Sequence, residues 1–485
     1  MLNTRLCTLY PLDSIVAILN SYIAQNFDFG TAYAYLCQYW NDILIIEDTL
    51  HTQELGDREM RRNVLADGMI SQRAVSPRRL WDLYANRVVP YWVASFTVLQ
   101  RPWAISHAWV DEKDRIDVMT PVGGYEWPMP MPKDANLDLI RIEMLNLGAE
   151  YMWLDVLCLR QEGGKNEQLR KDEWKLDVPT IGWVYKQALD RVVCYFNRLG
   201  RPLHLTQGYF EDDRCWFRRA WTLQEIPYCP IIGGETGKDV MDKQVQRQFS
   251  EQLASLQKMR ESASILELMS EMKHRVSTKP LDKVAGLVYL LQTGSIPIYD
   301  AEKSAADAWE VLVDAIAPWY QAQLLFLYPE PGNRNKYWQP SWEQLMTDIA
   351  IAPDSTVCTA GFCQTSNILA DGYVGYNIVS GNVGGLGEVS NQLMPRHGEL
   401  VFNDASGAPR KVKIIADHAF PVPDGSYTLL RYHSNGIDSN LDHWVAGKIR
   451  QDGRFEKLLV FRSAGDEKLD LYRRLHNQLV EMLLC

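Results

Sequence analysis

The chain has 485 residues, 46% of them hydrophobic and 23% charged, with a formal net charge of -11. This is globular composition, too apolar for disorder and too long for one hydrophobic core, so about two to four domains are expected. The acidic balance and the lack of a Lys/Arg run argue against a grip on nucleic acid.

The 9 cysteines form no CxxC pair and stand at no zinc-finger spacing to histidine. An odd, scattered set reads as reduced thiols of an intracellular protein rather than a disulfide framework. Met1-Leu-Asn-Thr-Arg-Leu-Cys7 lacks a basic stretch followed by an apolar core, so no secretory leader is expected. The most apolar run, Val88–Leu99, contains Pro90, lies between Arg87 and Arg101, and is too short to span a bilayer. The expectations are a cytoplasmic protein with no membrane span and no nucleic-acid partner.

Residues 1–95 read as a helical region. Asp13 caps a helix whose Ile15, Val16, Ile18 and Leu19 make an apolar stripe, and helical pattern continues through Tyr33–Ile46 and Arg79–Val88. Residues 96–240 alternate between strand and helix. Val98–Ser106, Tyr151–Leu157 and Asp190–Phe196 are short apolar runs, separated by amphipathic Asn136–Leu147 and Thr180–Leu189. That order predicts an α/β domain with a parallel sheet flanked by helices. Right-handed crossovers then bring every strand's carboxyl end to one edge, where ligands bind. Pro-rich Pro121–Pro132 reads as an ordered loop or lid.

Residues 241–345 read as helical: one long helix over Phe249–Lys273, another over Pro280–Gln292 and a third over Ala305–Tyr320. Residues 346–485 are a β-rich region, with strands at Tyr373–Val379, Glu399–Phe402, Val412–Ala416, Tyr427–Tyr432, Trp444–Ile449 and Lys457–Arg462. A helix over Asp466–Leu484 closes the chain, and there is no internal repeat.

Several signatures of chemistry fail. Gly233–Lys238 has Ile232 where a phosphate loop needs its first glycine, and Asp239 where it needs Ser or Thr. There is no GxSxG, HExxH or helix-opening GxGxxG. Cys358 and Cys363 have no histidine nearby, so no metal site is expected.

Three blocks remain: Trp103-Ala-Ile-Ser-His-Ala-Trp109, Tyr151–Gln161 and Trp216–Glu225. The first two are apolar runs ending in polar and aromatic groups; the third is expected to be a helix, with Arg218, Trp221, Thr222 and Glu225 on one face. Singly, each residue has an ordinary alternative: a core histidine at 107, a turn cap at Asp155, and Arg218 and Arg219 solvated or paired with Asp212 and Asp213. Jointly, the three blocks predict one cleft surrounded by Ser106, His107, Trp109, Asp155, Trp221 and Glu225.

Ala104-Ile-Ser-His-Ala-Trp109, Trp153–Gln161, Ile181-Gly-Trp-Val-Tyr-Lys-Gln-Ala188 and Arg219–Glu225 resemble, in order and spacing, the motifs of the fungal heterokaryon-incompatibility (HET) domain. The resemblance covers roughly residues 100–235, departing from the pattern at Val110, Arg160 and Ala220. It implies a cell-death trigger in non-self recognition. More remotely the domain is similar to TIR domains, which implies a flavodoxin-like parallel sheet and self-association or partner binding through this domain. In active TIR domains a helix glutamate serves NAD hydrolysis. That role carries over to Glu225, with Ser106, His107, Trp109, Asp155, Cys158, Arg218 and Trp221 lining a site for NAD or NADP as substrate. No resident cofactor is implied. The alternatives are a non-catalytic module that binds a partner, and a degenerate copy whose cleft Arg160 closes by a salt bridge.

Overall fold

The computed structural model describes residues 20–37, 46–94, 101–212, 215–234, 241–347, 368–369, 372–387, 395–404, 406–431, 443–464 and 480–485. The Asp13 helix, Cys358, Cys363, Asp213 and most of the expected closing helix lie outside these residues. The chain divides into two compact units. The first is Met1–Gln257 with Arg275–Leu290 and Gly294–Lys303; the second is Lys258–His274, Leu291–Thr293 and Ser304–Cys485.

The first unit is mixed α/β. Its strands are β1 (Leu65–Ala66), β2 (Met69–Ile70), β3 (Arg79–Asp82), β4 (Arg87–Pro90), β5 (Trp103–His107), β6 (Arg115–Val118), β7 (Met129–Pro132), β8 (Tyr151–Trp153), β9 (Val192–Tyr195), β10 (Ile231–Ile232) and β11 (Ile296–Pro297). Six of them form one sheet in the order β10-β9-β5-β8-β3-β4. β10, β9, β5 and β8 run parallel to one another. All of β8 and β9 and four of the five residues of β5 are buried, which is why these runs are continuously apolar.

The expected all-parallel sheet is corrected at one side: β3 runs antiparallel to both β8 and β4. The same segment corrects the expected helix over Arg79–Val88. Asp82 accepts a hydrogen bond from the Ala85 amide at 2.8 Å, and Asn86 adopts a positive φ of 51°. These are turn conformations, and they fold the segment into a hairpin. The N-terminal region is thus helical only in part, through Phe29–Cys37 and Ile46–Asn63 among longer elements, before β1–β4.

Pro121–Pro132 is likewise not element-free. It starts with a short 3-10 turn, Pro121–Gly123, and ends in β7, which pairs antiparallel with β6. Pro130 and Pro132 stand two apart, so both missing N–H groups fall on the strand side facing away from β6. The helices expected between strands are present as Leu137–Asn146, capped by the Asn136 side chain, and Ile181–Ala188.

The second unit carries helices Ile265–Lys273, Ala305–Ala315, Pro318–Leu327 and Trp342–Met346. Two expected helices are corrected. Phe249–Lys273 breaks into Lys243–Ser262 and Ile265–Lys273, because Ser264 and Glu267 exchange hydrogen bonds in a capping box that starts a new helix. Ala305–Tyr320 breaks before Pro318, which cannot continue a helix but is suited to its first turn. In the first unit, Pro280–Gln292 is helical only over Pro280–Ala285.

The β-rich region comprises β12 (Ile368–Leu369), β13 (Gly372–Gly384), β14 (Arg396–Asn403), β15 (Pro409–Ala416), β16 (Gly425–Arg431), β17 (His443–Ile449), β18 (Phe455–Ser463) and β19 (Val480–Leu483). β13, β14, β15, β18, β17 and β16 pair antiparallel in that order, and β16 returns to β13. The ring therefore closes as an antiparallel barrel with few free edges. Leu400, Ile414, Leu429, Trp444 and Phe461 fill its core. At the end of the expected closing helix, Val480–Leu483 is instead a strand paired with β13.

Candidate functional site

Ser106 is the penultimate residue of β5, and its parallel register sets it beside Cys194 of β9. The side chain is fully buried. Its hydroxyl donates to Glu225 Oε2 at 2.6 Å and accepts from the Trp216 indole N–H at 2.7 Å. One hydroxyl thus joins the first and third sequence blocks.

The third block corrects the expected continuous helix. It is a 3-10 turn over Trp216–Arg218 followed by a single helical turn, Thr222–Glu225. Between them the Ala220 amide donates to the Val276 carbonyl at 2.9 Å, drawing Arg219 into a bridge instead of a helical bond. Thr222 Oγ1 donates to the carbonyls of Trp216 and Arg219, and buried Arg275 donates to the Arg219 carbonyl and Thr222 Oγ1 at 2.7 and 2.9 Å. This network fixes where Glu225 projects.

Successive strand residues face opposite ways, so His107 turns away from the Ser106 side. Its Nε2 lies 2.8 Å from Asp155 Oδ1, and the Trp109 indole N–H donates to Asp155 Oδ2 at 2.6 Å. Asp155 opens the helical turn after β8, and the Val156 amide also donates to it, at 2.7 Å. First and second blocks therefore meet as well. His107 and Asp155 lie close enough to Glu225 for their charges to act on it.

Burial is the largest influence on Glu225 and lifts its pKa from 4.5 to about 7, while the Ser106 hydrogen bond pulls the other way. Burial also acts on Asp155, but the His107 charge and the bonds from His107, Trp109 and Val156 outweigh it and hold the carboxyl below its ordinary value. Reciprocally, Asp155 raises His107 against the effect of burial. Two carboxyl groups in one cluster are thus pushed apart: His107 favours the ionised form of Asp155, while burial leaves Glu225 titrating near neutrality. Glu225 is 7% exposed, whereas the Asp155 side chain is 19% exposed and opens the cluster to solvent.

The other predicted residues are arranged differently. Cys158 is buried, with Sγ 3.9 Å from the Met152 carbonyl, and burial pushes its thiol up to about 12. Arg218 donates to the Glu211 carbonyl at 3.0 Å. Trp221, half-buried, precedes the Glu225 helical turn. Arg160 pairs with Glu126 and Glu173 at 3.0 and 3.4 Å and lies over the Trp127 ring.

Sequence reasoning did not assign roles to Trp216, Tyr185, Cys194 or Arg275. Trp216 orients Ser106, and the Tyr185 hydroxyl, donating to the Ile105 carbonyl at 3.0 Å, also reaches Glu225. Both stand inside the quoted blocks, so their polar tips in apolar runs were the available signal.

No family model matches the chain, and no curated protein or solved structure matches it. Among the described residues no group of histidine, cysteine and carboxylate side chains is arranged to hold a metal ion, and no helix is long and apolar enough to cross a membrane.

Proposed function

We propose that this chain is a cytoplasmic HET-domain protein with a TIR-like, flavodoxin-like α/β core, which triggers cell death in non-self recognition by hydrolysing NAD or NADP. The observation that carries this reading is the 2.6 Å Ser106–Glu225 hydrogen bond at the carboxyl end of β5. The strand order supports it: β8, β5, β9 and β10 lie in chain order 2-1-3-4, an arrangement of doubly wound sheets.

In this reaction the bond between nicotinamide nitrogen and ribose C1′ breaks. The electron pair leaves with neutral nicotinamide, and water adds its oxygen to C1′ and releases a proton. Positive charge develops on the ribose, and a fixed carboxylate at Glu225 stabilises it electrostatically. Nicotinamide leaves from a cationic state, so no strong general acid is needed. Only ionised Glu225 serves, which ties the rate to its titration near 7. Ser106 and Trp216 hold the carboxylate in one rotamer, and the His107–Asp155 pair balances charge beside it.

The test is incubation of the purified chain with NAD and with NADP, following nicotinamide release. The expected result is turnover that rises as pH passes through neutrality and is lost in Glu225→Gln. Full turnover in that variant removes Glu225 from the mechanism. A second reading, a non-catalytic module that self-associates or binds a partner, is favoured by the burial of Glu225. It predicts cell death on expression that survives Glu225→Gln.

A further inference from the structure

The chain passes from β5 to β8 on one side and then to β9 on the other, so the topological switch of the parallel strands falls between β5 and β9. Loops leaving the carboxyl ends of such strands diverge there and open a crevice. The segment leaving β9 borders an open groove of ≈ 550 Å³, lined by Asn197, Arg198, Arg201 and Tyr209 among others. That volume suits a nucleotide-sized ligand.

Three features of the groove are unexplained by packing. Arg198 adopts φ of 96°, a conformation that disfavours any side chain. Its charge is felt by Asp134, yet among the described residues its guanidinium makes neither an ion pair nor a hydrogen bond. Asn197 donates to the His204 carbonyl at 3.0 Å, but among the described residues its buried Oδ1 has no partner. A strained backbone that presents a guanidinium with no direct partner beside an orphaned acceptor, its charge offset only at longer range by Asp134, is arranged for a ligand bearing both anionic oxygens and a hydroxyl or amine donor.

We propose that this groove binds a nucleoside diphosphate, with Arg198 as the principal anchor of its phosphates and Asn197 Oδ1 accepting from the ribose or base. Arg201 adds a second guanidinium. It is bound to Asp134, but both side chains are about two-fifths exposed, at 43% and 41%, and such a pair exchanges its acceptor at small cost. The ring of Tyr209 offers a face to the base. The ligand class rests on the dinucleotide reading above, of which this groove would take the diphosphate half. The wall of the groove packs against the residues that hold Ser106. Phe196 lines the groove, and its ring lies 5.1 Å from Trp216, whose indole holds Ser106.

The test is calorimetric titration of the full chain with ADP, beside nicotinamide release from NAD. Arg198→Ala is expected to weaken ADP at least about tenfold, the scale of a lost charge-assisted contact, and Arg115→Ala, on the β6–β7 hairpin, to leave it unchanged. Arg198→Gly guards against misfolding: glycine accepts the positive φ, so its melting temperature should match or exceed the wild type while ADP binding falls equally. No ADP binding by the wild type, or unchanged affinity in both Arg198 variants, overturns the proposal. ADP binding that depends on Arg198, in a protein releasing no nicotinamide, upholds the groove and sinks the glycohydrolase reading. Nicotinamide release with ADP affinity indifferent to Arg198 does the reverse.

Discussion

Replacing Glu225 by glutamine should alter how stability depends on pH, whether or not the protein is an enzyme. Burial raises this carboxyl from 4.5 to about 7. The folded state therefore holds a proton that the unfolded chain releases between those values. Stability from this group is fully present below 4.5, declines as pH rises through the window, and is level above about 7. A displacement of that size corresponds to roughly 3 kcal/mol, to order of magnitude. Glutamine keeps an acceptor for Ser106 but never ionises. The variant should then match the wild type near pH 4.5 and gain on it progressively, by up to roughly 3 kcal/mol, at pH 8. Urea denaturation of both proteins at several pH values measures the difference, and subtraction removes the titrating groups that do not interact with Glu225. A difference that stays constant from acid to alkaline pH would refute the claim that Glu225 is buried and charge-penalised in the fold.

Other outcomes follow from the same packing. Ser106→Ala leaves the Trp216 indole N–H and Glu225 without their shared hydroxyl, so the melting temperature should fall by the equivalent of about 1–3 kcal/mol; an unchanged melting curve contradicts the network. Gly182→Ala places a Cβ 2.4 Å from the Tyr289 ring and 2.7 Å from Gln224 Oε1, and should cost about 1–3 kcal/mol by overpacking, read by the same denaturation. Lys457 is fully buried, donates to the carbonyls of Leu324 and Tyr328, and is held by that burial well below its ordinary pKa. Because the unfolded lysine keeps its proton up to about 10.5, stability of the wild type relative to Lys457→Met should rise as pH climbs from neutral towards that value. A pH-independent difference would mean the amine titrates normally.

Elements whose signal is local can be read from the residues alone. β5, β8 and β9 are apolar runs because each is buried on both faces, and the barrel strands are legible from alternation and turn residues. The blocks ending at Ser106-His107, Asp155 and Glu225 were legible as candidates because polar groups at the ends of apolar runs need partners. Tertiary structure decided what those partners are. Arg79–Val88 has helical spacing yet forms a hairpin, since Asp82 and Asn86 supply turn geometry and β8 supplies an open edge. Trp216–Glu225 has helical spacing yet is interrupted, since Val276, more than fifty residues on, competes for its backbone bonds. The Ser106–Glu225 bond, the charge separation between Asp155 and Glu225, and the half-buried cation at Arg198 all depend on residues far apart in the chain. Local preference contains no information about which distant groups will remove water from a side chain, and that removal sets both the hydrogen bonds and the titration at this site.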